Sequence, residues 1–302
     1  MYQEKGIIAQ LVHLYVDGAF SRRELVQRVA RHTGSVTAAV ATLSGFEIMN
    51  AQPPAACPAG LQVPADAADL VTQDITYPGE GGTLFGYMAY PKNTGGKLLP
   101  AVIVVHENQG LLDHHKDVTR RVARAGFIGV AVDLLSRQGG TGQFPDAVTR
   151  SGAYGRTNQF DRRSDLISTL SYTKSLPNVV FNRIGIIGFC AGGGNVWDVL
   201  SNVEEFAAAV PYYGTPLPNS AQIDAIKTPV MGVYAETDRN LTIGMAAVMS
   251  EMISKQKTFA FRVYQGAGHA FNNDTGPAFN PEAACDAWAQ TTAWFNKWLL
   301  KP

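Results

Sequence analysis

The sequence predicts an α/β protein built on a mostly parallel, doubly wound sheet with helices on both faces. From residue 71 onward, continuous apolar runs such as AVIVVHE, FIGVAVDL and RIGIIGF alternate with stretches of helical period. Uninterrupted apolar strands are typical of parallel sheets, because helices cover both faces of every strand. The chain has 302 residues, of which 46% are hydrophobic, so it carries enough apolar material for one large core.

A helical extension and linker are predicted for residues 1–70, ahead of a main domain over residues 71–302. EKGIIAQLVHLYVDGAF and SRRELVQRVARHTG carry apolar residues at helical spacing, and the Pro- and Ala-rich AQPPAACPAGLQVPADAAD is typical of a linker. The pair Arg22 and Arg23 resembles a twin-arginine export signal, but it follows a predicted helix that a signal would not need. A cytoplasmic location is therefore favoured, and export stays open.

The elements of the main domain follow one another regularly. DITYPGEGGTLFGYMAYP predicts an antiparallel pair of strands around a glycine turn. Strand and helix then alternate, from AVIVVHE with HKDVTRRVARAG to FAFRVYQGAGH with PEAACDAWAQTTAWFNKWLL. The polar, glycine-containing stretch 136–161 interrupts this pattern, and we expect it to be a loop that covers a pocket.

Composition excludes several classes of partner. Lys plus Arg and Asp plus Glu number 25 each, with no basic block, so nucleic acid is not expected. No run approaches the roughly 18 consecutive apolar residues that cross a membrane. Cys57, Cys190 and Cys285 are too few for a disulfide framework or a zinc site, although one pair could close. The expected partner is a small-molecule substrate, and homo-oligomerisation stays open.

Cys190 lies in the most distinctive motif. The stretch from Gly188 to Gly192 is G-x-C-x-G, the cysteine form of a nucleophile elbow, in which a sharp strand-to-helix turn lifts the nucleophile into the cleft. The helix that follows favours negative charge at the thiol, and the N–H of Ala191 would face a forming oxyanion. The alternative is a small buried cysteine in a tight turn.

A base and an orienting acid follow Cys190 in the chain. His269, in YQGAGHAF, comes directly after the last predicted strand, and Asp238, in VYAETDRNLT, lies just beyond the strand before it. Ligands bind at the carboxyl ends of strands in such sheets, so we expect the three side chains to meet there. A cysteine needs a base to remove its proton, and the base needs a group that fixes its tautomer.

Cofactor and metal chemistry are not predicted. GFCAGGG is not the G-x-G-x-x-G of dinucleotide-binding proteins, and no phosphate-binding G-x-x-x-x-G-K-[ST] occurs. HENQGLLDHHKD is rich in potential ligands, but H-E-x-x-H would need a histidine where Gly110 stands. The potential ligands in that segment are His106, Glu107, His114, His115 and Asp117.

GFCAGG, AETD, GAGHAF and HENQG together resemble the dienelactone hydrolase family of cysteine-dependent α/β-hydrolases, over about residues 72–300. The resemblance implies an α/β-hydrolase fold and cleavage of a small ester or lactone, such as a dienelactone (carboxymethylenebutenolide). By position, Cys190 would be the nucleophile, His269 the base and Asp238 its partner. Glu107 would help to form the thiolate when substrate arrives, and Asn108 would supply a second oxyanion N–H.

The substrate-binding residues depart from that family. Members that act on dienelactone hold the substrate carboxylate with arginines, one of them a few residues after the histidine, where this chain has HAFNND. Arg150 and Tyr154 resemble another part of that clamp, and Arg239 follows the acid. An anionic lactone is therefore one option, a general short-chain carboxylesterase or thioesterase is another, and a non-catalytic hydrolase-like binding protein is the third.

Overall fold

The computed structural model describes residues 11, 22–35, 38–39 and 61–300. Helix α1 (Arg22–Thr33) confirms the second helix predicted in the extension. The first predicted helix, most of the linker and Cys57 lie outside the described residues. Within the described part of the chain, no helix is both long enough and apolar enough to cross a membrane.

The main domain alternates strands and helices as the apolar runs predict. The strands are β1 (Leu70–Gly79), β2 (Gly82–Pro91), β3 (Leu99–Val105), β4 (Ile128–Val132), β5 (Val179–Phe189), β6 (Ala208–Tyr212), β7 (Val230–Ala235) and β8 (Phe259–Tyr264). The helices are α2 (Asp113–Arg124), α3 (Ala147–Gly155), α4 (Gln159–Ser175), α5 (Ala191–Leu200), α6 (Ser220–Ala225), α7 (Arg239–Ser254) and α8 (Pro281–Leu299).

Over the described residues, the strands form one eight-stranded sheet in the order β1-β2-β4-β3-β5-β6-β7-β8. β1 pairs with β2 and β2 with β4 in antiparallel fashion, and all the other pairs are parallel. This confirms the predicted class, a mostly parallel sheet that opens with an antiparallel pair. The opening pair extends one edge of the sheet, which leaves the parallel strands to form its centre.

The side chains of each central strand alternate between two cores. On β3, Ile103 and Val105 join the core beneath α4, α5 and α7, whereas Val102 and Val104 join the core beneath α2 and α8. All four side chains are fully buried. Burying a side chain of this kind contributes about 1.5–3 kcal/mol, so the central strands hold the two helical layers together. Helices therefore cover both faces, as the continuous apolar runs predict.

The order of the strands reverses direction at β3, which has β4 on one side and β5 on the other. Val105, the last residue of β3, pairs with Gly188 near the end of β5. Because the two strands end side by side, the residues that follow them, Glu107 and Cys190, reach the same edge of the sheet. Such a switch point is where α/β sheets bind their ligands.

The expectation of a loop over residues 136–161 is wrong in part. The segment contains two short 3₁₀ turns and helix α3, which starts at a capping box between Asp146 and Thr149. The side chain of Asp146 accepts a hydrogen bond from the Thr149 N–H (2.8 Å), and the Thr149 hydroxyl faces back toward the Asp146 N–H. The cap offsets the low helix propensity of the glycines in α3.

Candidate active site

Cys190 stands on a strained turn between β5 and α5. Its backbone has φ 53° and ψ −119°, a conformation that L residues rarely adopt. The Cys190 N–H donates to the Tyr212 carbonyl at 3.0 Å, which fixes the turn on the neighbouring strand β6. The cysteine is free and half-buried, and it packs against the edge of the core beneath α2 and α8. The strained turn and the partial exposure agree with an elbow.

The glycines around Cys190 are required by close backbone contacts. A Cβ atom on Gly192 would lie 2.4 Å from the His106 carbonyl oxygen, and one on Gly188 would lie 2.4 Å from the Gly192 oxygen. Neither contact is sterically allowed, because backbone atoms cannot turn aside as a flexible side chain can. Because Gly192 has no Cβ atom, the start of α5 can lie closer to the end of β3 than a residue with a side chain would permit.

His269 and Asp238 lie in contact. The Nδ1 atom of His269 is 2.6 Å from Asp238 Oδ2, so the ring donates its Nδ1 proton to the carboxylate. Asp238 lies between β7 and α7, and His269 lies in the turn after β8. The adjacent, parallel strands β7 and β8 end at the same edge of the sheet, and this brings the two side chains together.

The imidazole of His269 also interacts with the side chain of Cys190. That interaction, the charge of Cys190 and the bond with Asp238 raise the pKa of His269 to about 9, against burial, which lowers it. The raised pKa makes the ring a base strong enough to hold the proton that the Cys190 thiol gives up. The arrangement can move a proton between sulfur and nitrogen, as a nucleophile and its base require.

Glu107 approaches this group from the end of β3. Its Oε2 accepts a hydrogen bond from the side-chain amide of Asn273 at 3.2 Å, and its Oε1 is buried without a partner among the described residues. The Glu107 N–H donates to Nε2 of His115 at 3.2 Å. Burial lowers the pKa of His115 well below its ordinary value, so this ring is neutral and accepts the bond.

His106 is part of the scaffold. It is fully buried, and its Nε2 accepts the Leu134 N–H at 2.9 Å. Nδ1 therefore carries the proton and donates to the Glu107 carbonyl at 2.5 Å. Burial lowers the pKa of His106, which keeps the ring neutral. Among the described residues, no group of three or more His, Cys, Asp or Glu side chains could hold a metal ion.

Tyr213 is a site residue that the sequence reasoning missed. It follows β6, is fully buried, and has φ 36°; its ring centroid lies 5.0 Å from that of His269. Burial, and then the nearby charges of Glu107 and Cys190, raise its pKa well above the ordinary value. The sequence does place PYYG at the end of a strand, where site residues are expected. A tyrosine carries no charge at neutral pH, however, so the sequence gives no reason to expect it beside a base.

The proposed oxyanion and substrate residues are spread around the site. Ala191 is the first residue of α5, and Asn108 is exposed in the turn after Glu107. Tyr154 is buried in α3, where its hydroxyl accepts the Asn195 amide at 2.7 Å and its ring lies under the Arg162 guanidinium. Cys190 is near enough to Tyr154 to influence its pKa, which burial chiefly raises.

The two candidate arginines differ. Arg150 is half-buried one helical turn before Tyr154; its Nη1 donates to the Phe144 carbonyl at 3.3 Å, and its Nε is buried without a partner among the described residues. It lines a cavity of about 740 Å³ that residues of β1, β2 and α2 also line, and none of Cys190, Asp238 and His269 lines it. Arg239 is exposed at the start of α7, and no hydrogen bond orients it among the described residues.

The remaining cysteine lies away from the site. Cys285, on α8, is disulfide-bonded. The open pairing of Cys57 with Cys285 involves a residue outside the described part of the chain, and it stays a prediction.

Comparisons with known proteins agree on one family. The model described as "Dienelactone hydrolase family" matches residues 84–299. A protein of Escherichia coli (strain K12) named "Putative carboxymethylenebutenolidase" is 31% identical over 260 residues, which is 81% of this chain and 94% of that protein. A protein of Methylorubrum extorquens with the same name is 30% identical over 78% of this chain and 84% of its own.

Solved structures give the same result. A crystal structure titled as a putative dienelactone hydrolase from Klebsiella pneumoniae superimposes with a TM-score of 0.70 at 27% identity, and the match covers 76% of this chain and 99% of that one. A dienelactone hydrolase from Anabaena variabilis superimposes with a TM-score of 0.61 at 16% identity, over 76% of this chain and 99% of that one. The second likeness concerns the fold alone.

Proposed function

The chain belongs to the dienelactone hydrolase family and is a hydrolase, and we propose that it cleaves a small ester or lactone through Cys190, His269 and Asp238. One observation carries the proposal. The Asp238 carboxylate lies 2.6 Å from Nδ1 of His269, and the same ring interacts with the side chain of Cys190 on its glycine-bounded turn. A nucleophile, a base and an orienting acid in this order form the proton path of covalent acyl transfer.

The reaction follows from this path. His269 takes the thiol proton on Nε2, and the Cys190 sulfur attacks the substrate carbonyl carbon. When the tetrahedral adduct collapses, the C–O bond breaks and the leaving oxygen takes the proton from His269. Water then gives a proton to His269 as its oxygen attacks the thioester, and the C–S bond breaks to release the acid and restore the thiol. The N–H groups of Ala191 and Asn108 are the proposed donors to both oxyanions.

Glu107 supports the first step when substrate is bound. Glu107 and Cys190 both act on the pKa of Tyr213, so both groups lie in the surroundings of that tyrosine. A carboxylate can accept a proton from the thiol, but a permanent bond between the two would compete with His269. We therefore assign Glu107 a role only in the presence of substrate.

The substrate class proposed is a small lactone or ester that bears an acidic group. Arg150 supports this, because its Nε is buried without a partner among the described residues. A buried guanidinium nitrogen that lacks an acceptor is costly, and a ligand carboxylate would satisfy it. Tyr154 lies one helical turn further along α3 on the same face, and Cys190 is near enough to influence its pKa.

The test is hydrolysis of a dienelactone and of p-nitrophenyl acetate by the wild type, Cys190→Ala and His269→Ala. We expect turnover by the wild type only, with a loss of at least about a thousandfold in each variant. His32→Ala, on the exposed side of α1, is the matched control and should keep full activity. Mass spectrometry of the quenched reaction should find the acyl group on the peptide that contains Cys190.

Two results would contradict the proposal. If Cys190→Ala matches the wild type, Cys190 is only a small residue in a turn. If Arg150→Gln raises KM equally for the charged lactone and the neutral acetate ester, Arg150 does not select an acidic substrate. Turnover of the acetate ester alone by the wild type would favour the alternative of a general short-chain carboxylesterase.

A further inference from the structure

A large cavity lies alongside the reacting groups without containing them. Its volume is about 740 Å³, which is in the range of pockets that bind drug-sized ligands. Residues of β1, β2, α2 and α3 line it, whereas Cys190, Asp238 and His269 do not. A small lactone alone would leave most of this volume empty, so the reaction at Cys190 does not account for the cavity.

Two walls of the cavity continue into the active site. Arg150 lines the cavity, and Tyr154 lies one helical turn further along the same helix. The ring of Tyr154 packs against that of His106, which follows β3 directly, with ring centroids 6.2 Å apart. On another wall, Thr275 belongs to the turn that follows His269. A ligand in the cavity therefore contacts elements that lead to the reacting groups.

Two phenylalanine rings give the cavity an aromatic lining. Phe85 on β2 is 37% exposed, and Phe144, just after the second 3₁₀ turn, is only partly buried. Both line the cavity, together with the apolar side chains of Ile75 and Leu111. Aromatic rings that meet face to edge or in offset stacks gain free energy beyond the area that they bury. The lining therefore favours a planar apolar group over a polar one.

Arg150 is a charge without a counter-ion in this cavity. Its Nη1 donates to the Phe144 carbonyl at 3.3 Å, and its Nε is buried without a partner among the described residues. A guanidinium that lacks acceptors is costly to bury, and a carboxylate supplies two of them at once. The acidic group that Arg150 binds would thus lie beside the ring of Phe144.

The lysine and aspartate side chains that line the cavity do not offset the charge of Arg150. Lys116 pairs with Asp74 at 2.8 Å. Both oxygens of the buried Asp133 accept hydrogen bonds from the segment that follows it. Asp113 is exposed in the first turn of α2, where the N-terminus of the helix balances its charge. Arg150 is therefore the charge to which a ligand responds, and it selects an anion.

The segment that carries Phe144 is fixed to neighbouring elements. Thr141 Oγ1 accepts the Leu111 N–H at 2.8 Å and donates to Asp133 Oδ1, also at 2.8 Å. Asp133 accepts the Thr141 N–H as well, at 2.6 Å. These bonds join the second 3₁₀ turn to the end of β4 and to the loop before α2, so the backbone beside Phe144 is in place before a ligand binds.

A buried charge network fixes the wall that contains Thr275. The neighbouring Asp274 accepts a hydrogen bond from His114 Nδ1 at 3.1 Å and pairs with Arg121 at 2.5 Å. Arg121 also pairs with Asp117 on α2. Burial alone would raise the pKa of Asp274, but His114 and Arg121 outweigh it and lower the pKa to about 2. Asp274 is therefore ionised throughout the neutral range, and the wall stays in place.

We propose that this cavity holds an aromatic group of the substrate, next to the acidic group that Arg150 binds. The substrate is then an ester or lactone that carries both an aryl ring and a free carboxylate, and it is larger than a dienelactone. The ring lies against Phe85 and Phe144. The inference rests on the proposed function, because it names the substrate class of the same site.

The test is equilibrium binding of three probes that separate the ring from the charge, measured by NMR titration with the full-length wild type. The first, 3-phenylpropanoate, carries both groups, propanoate carries only the charge, and 3-phenylpropan-1-ol carries only the ring. We expect 3-phenylpropanoate to bind at least about tenfold more tightly than either of the other two, because each group makes a contact of its own.

Substitutions should remove the two contacts separately. Arg150→Gln should weaken binding of 3-phenylpropanoate about tenfold and leave that of the alcohol unchanged. Phe85→Ala and Phe144→Ala should each weaken binding of 3-phenylpropanoate about three- to tenfold and leave that of propanoate unchanged. Arg156→Gln, exposed just after α3, and Phe181→Ala, exposed on β5, are the matched controls and should bind as the wild type does.

Two results would overturn the proposal. One is unchanged binding of 3-phenylpropanoate by folded Phe85→Ala and Phe144→Ala, and the other is equal affinity of the wild type for propanoate and 3-phenylpropanoate. Unfolding temperatures identify variants that do not fold, and the exposed Phe85 serves as the test position if Phe144→Ala unfolds. The probes contain no ester bond, so these outcomes are independent of whether Cys190→Ala abolishes hydrolysis.

Discussion

Replacing Cys190 by glycine should stabilise the fold relative to replacing it by alanine. Cys190 has φ 53° and ψ −119°, a region in which only glycine is unstrained. A non-glycine residue in such a region costs about 1–3 kcal/mol. Cys190→Ala removes the thiol and keeps the Cβ atom, so it keeps the strain. Cys190→Gly removes both.

The size of the difference follows from two opposing terms. Relief of strain contributes about 1–3 kcal/mol, and the extra freedom of glycine in the unfolded chain costs about 0.5–1 kcal/mol. At the middle of both ranges, the free energy of unfolding of Cys190→Gly should therefore exceed that of Cys190→Ala by about 1 kcal/mol, and by about 2.5 kcal/mol at most. For a domain of this size, a difference of about 1 kcal/mol raises the midpoint by about 2–4 °C.

The assay is urea and thermal unfolding of both variants. Ser171, exposed in α4, is the matched control, because its backbone is helical. There the glycine variant should be less stable than the alanine variant by about 0.5–1 kcal/mol, so the sign of the difference reverses between the two positions. If Cys190→Gly is no more stable than Cys190→Ala, the elbow stores no backbone strain.

Three further predictions concern the same region. Gly192→Ala should lower the free energy of unfolding by at least about 3 kcal/mol by urea titration, since its Cβ meets backbone oxygens, whereas Gly152→Ala should not. Asp274→Asn should lower the free energy of unfolding by about 2 kcal/mol at pH 7. Because the pKa of Asp274 is lowered to about 2, the difference in free energy should vanish as pH falls from about 4 through 2. Because the pKa of His269 is raised to about 9, protonation of the ring stabilises the fold fully below about pH 6.5. The ring is 38% exposed and solvent screens its interactions, so His269→Ala should lower the free energy of unfolding by about 1–2 kcal/mol in that range. The difference should become progressively smaller up to pH 9.

Most of the fold could be predicted because the signal lies within short segments. Runs such as AVIVVHE and RIGIIGF are buried on both faces, and they became the central strands β3 and β5. Helix α3 was not predicted because it is short and contains two glycines, and because its start depends on one capping box at Asp146. A cap of this kind is a local contact that apolar periodicity does not report.

The candidate site could be predicted where each residue follows a strand. Asp238 and His269 were expected to meet because the carboxyl ends of parallel strands share an edge, and the structure brings them into contact. The pairing of Asn273 with Glu107 could not be predicted, because it joins residues 166 positions apart and depends on the side-chain conformation of one asparagine. The buried Nε of Arg150 could not be predicted either, because burial of one side-chain atom depends on which groups of other elements surround it.

The buried charges of Asp117, Arg121 and Asp274 are better explained by the arrangement of the chain that they fix than by a gain in the free energy of folding. A buried ion pair gains little free energy over well-packed apolar residues, because desolvation offsets the attraction. A network that contributes little net stability can still fix one arrangement of the chain, since removing any member leaves a buried charge unpaired. Here the arrangement it fixes is the turn that presents Asn273 to Glu107. The desolvation of three buried charges thus helps to fix the position of one carboxylate, that of Glu107.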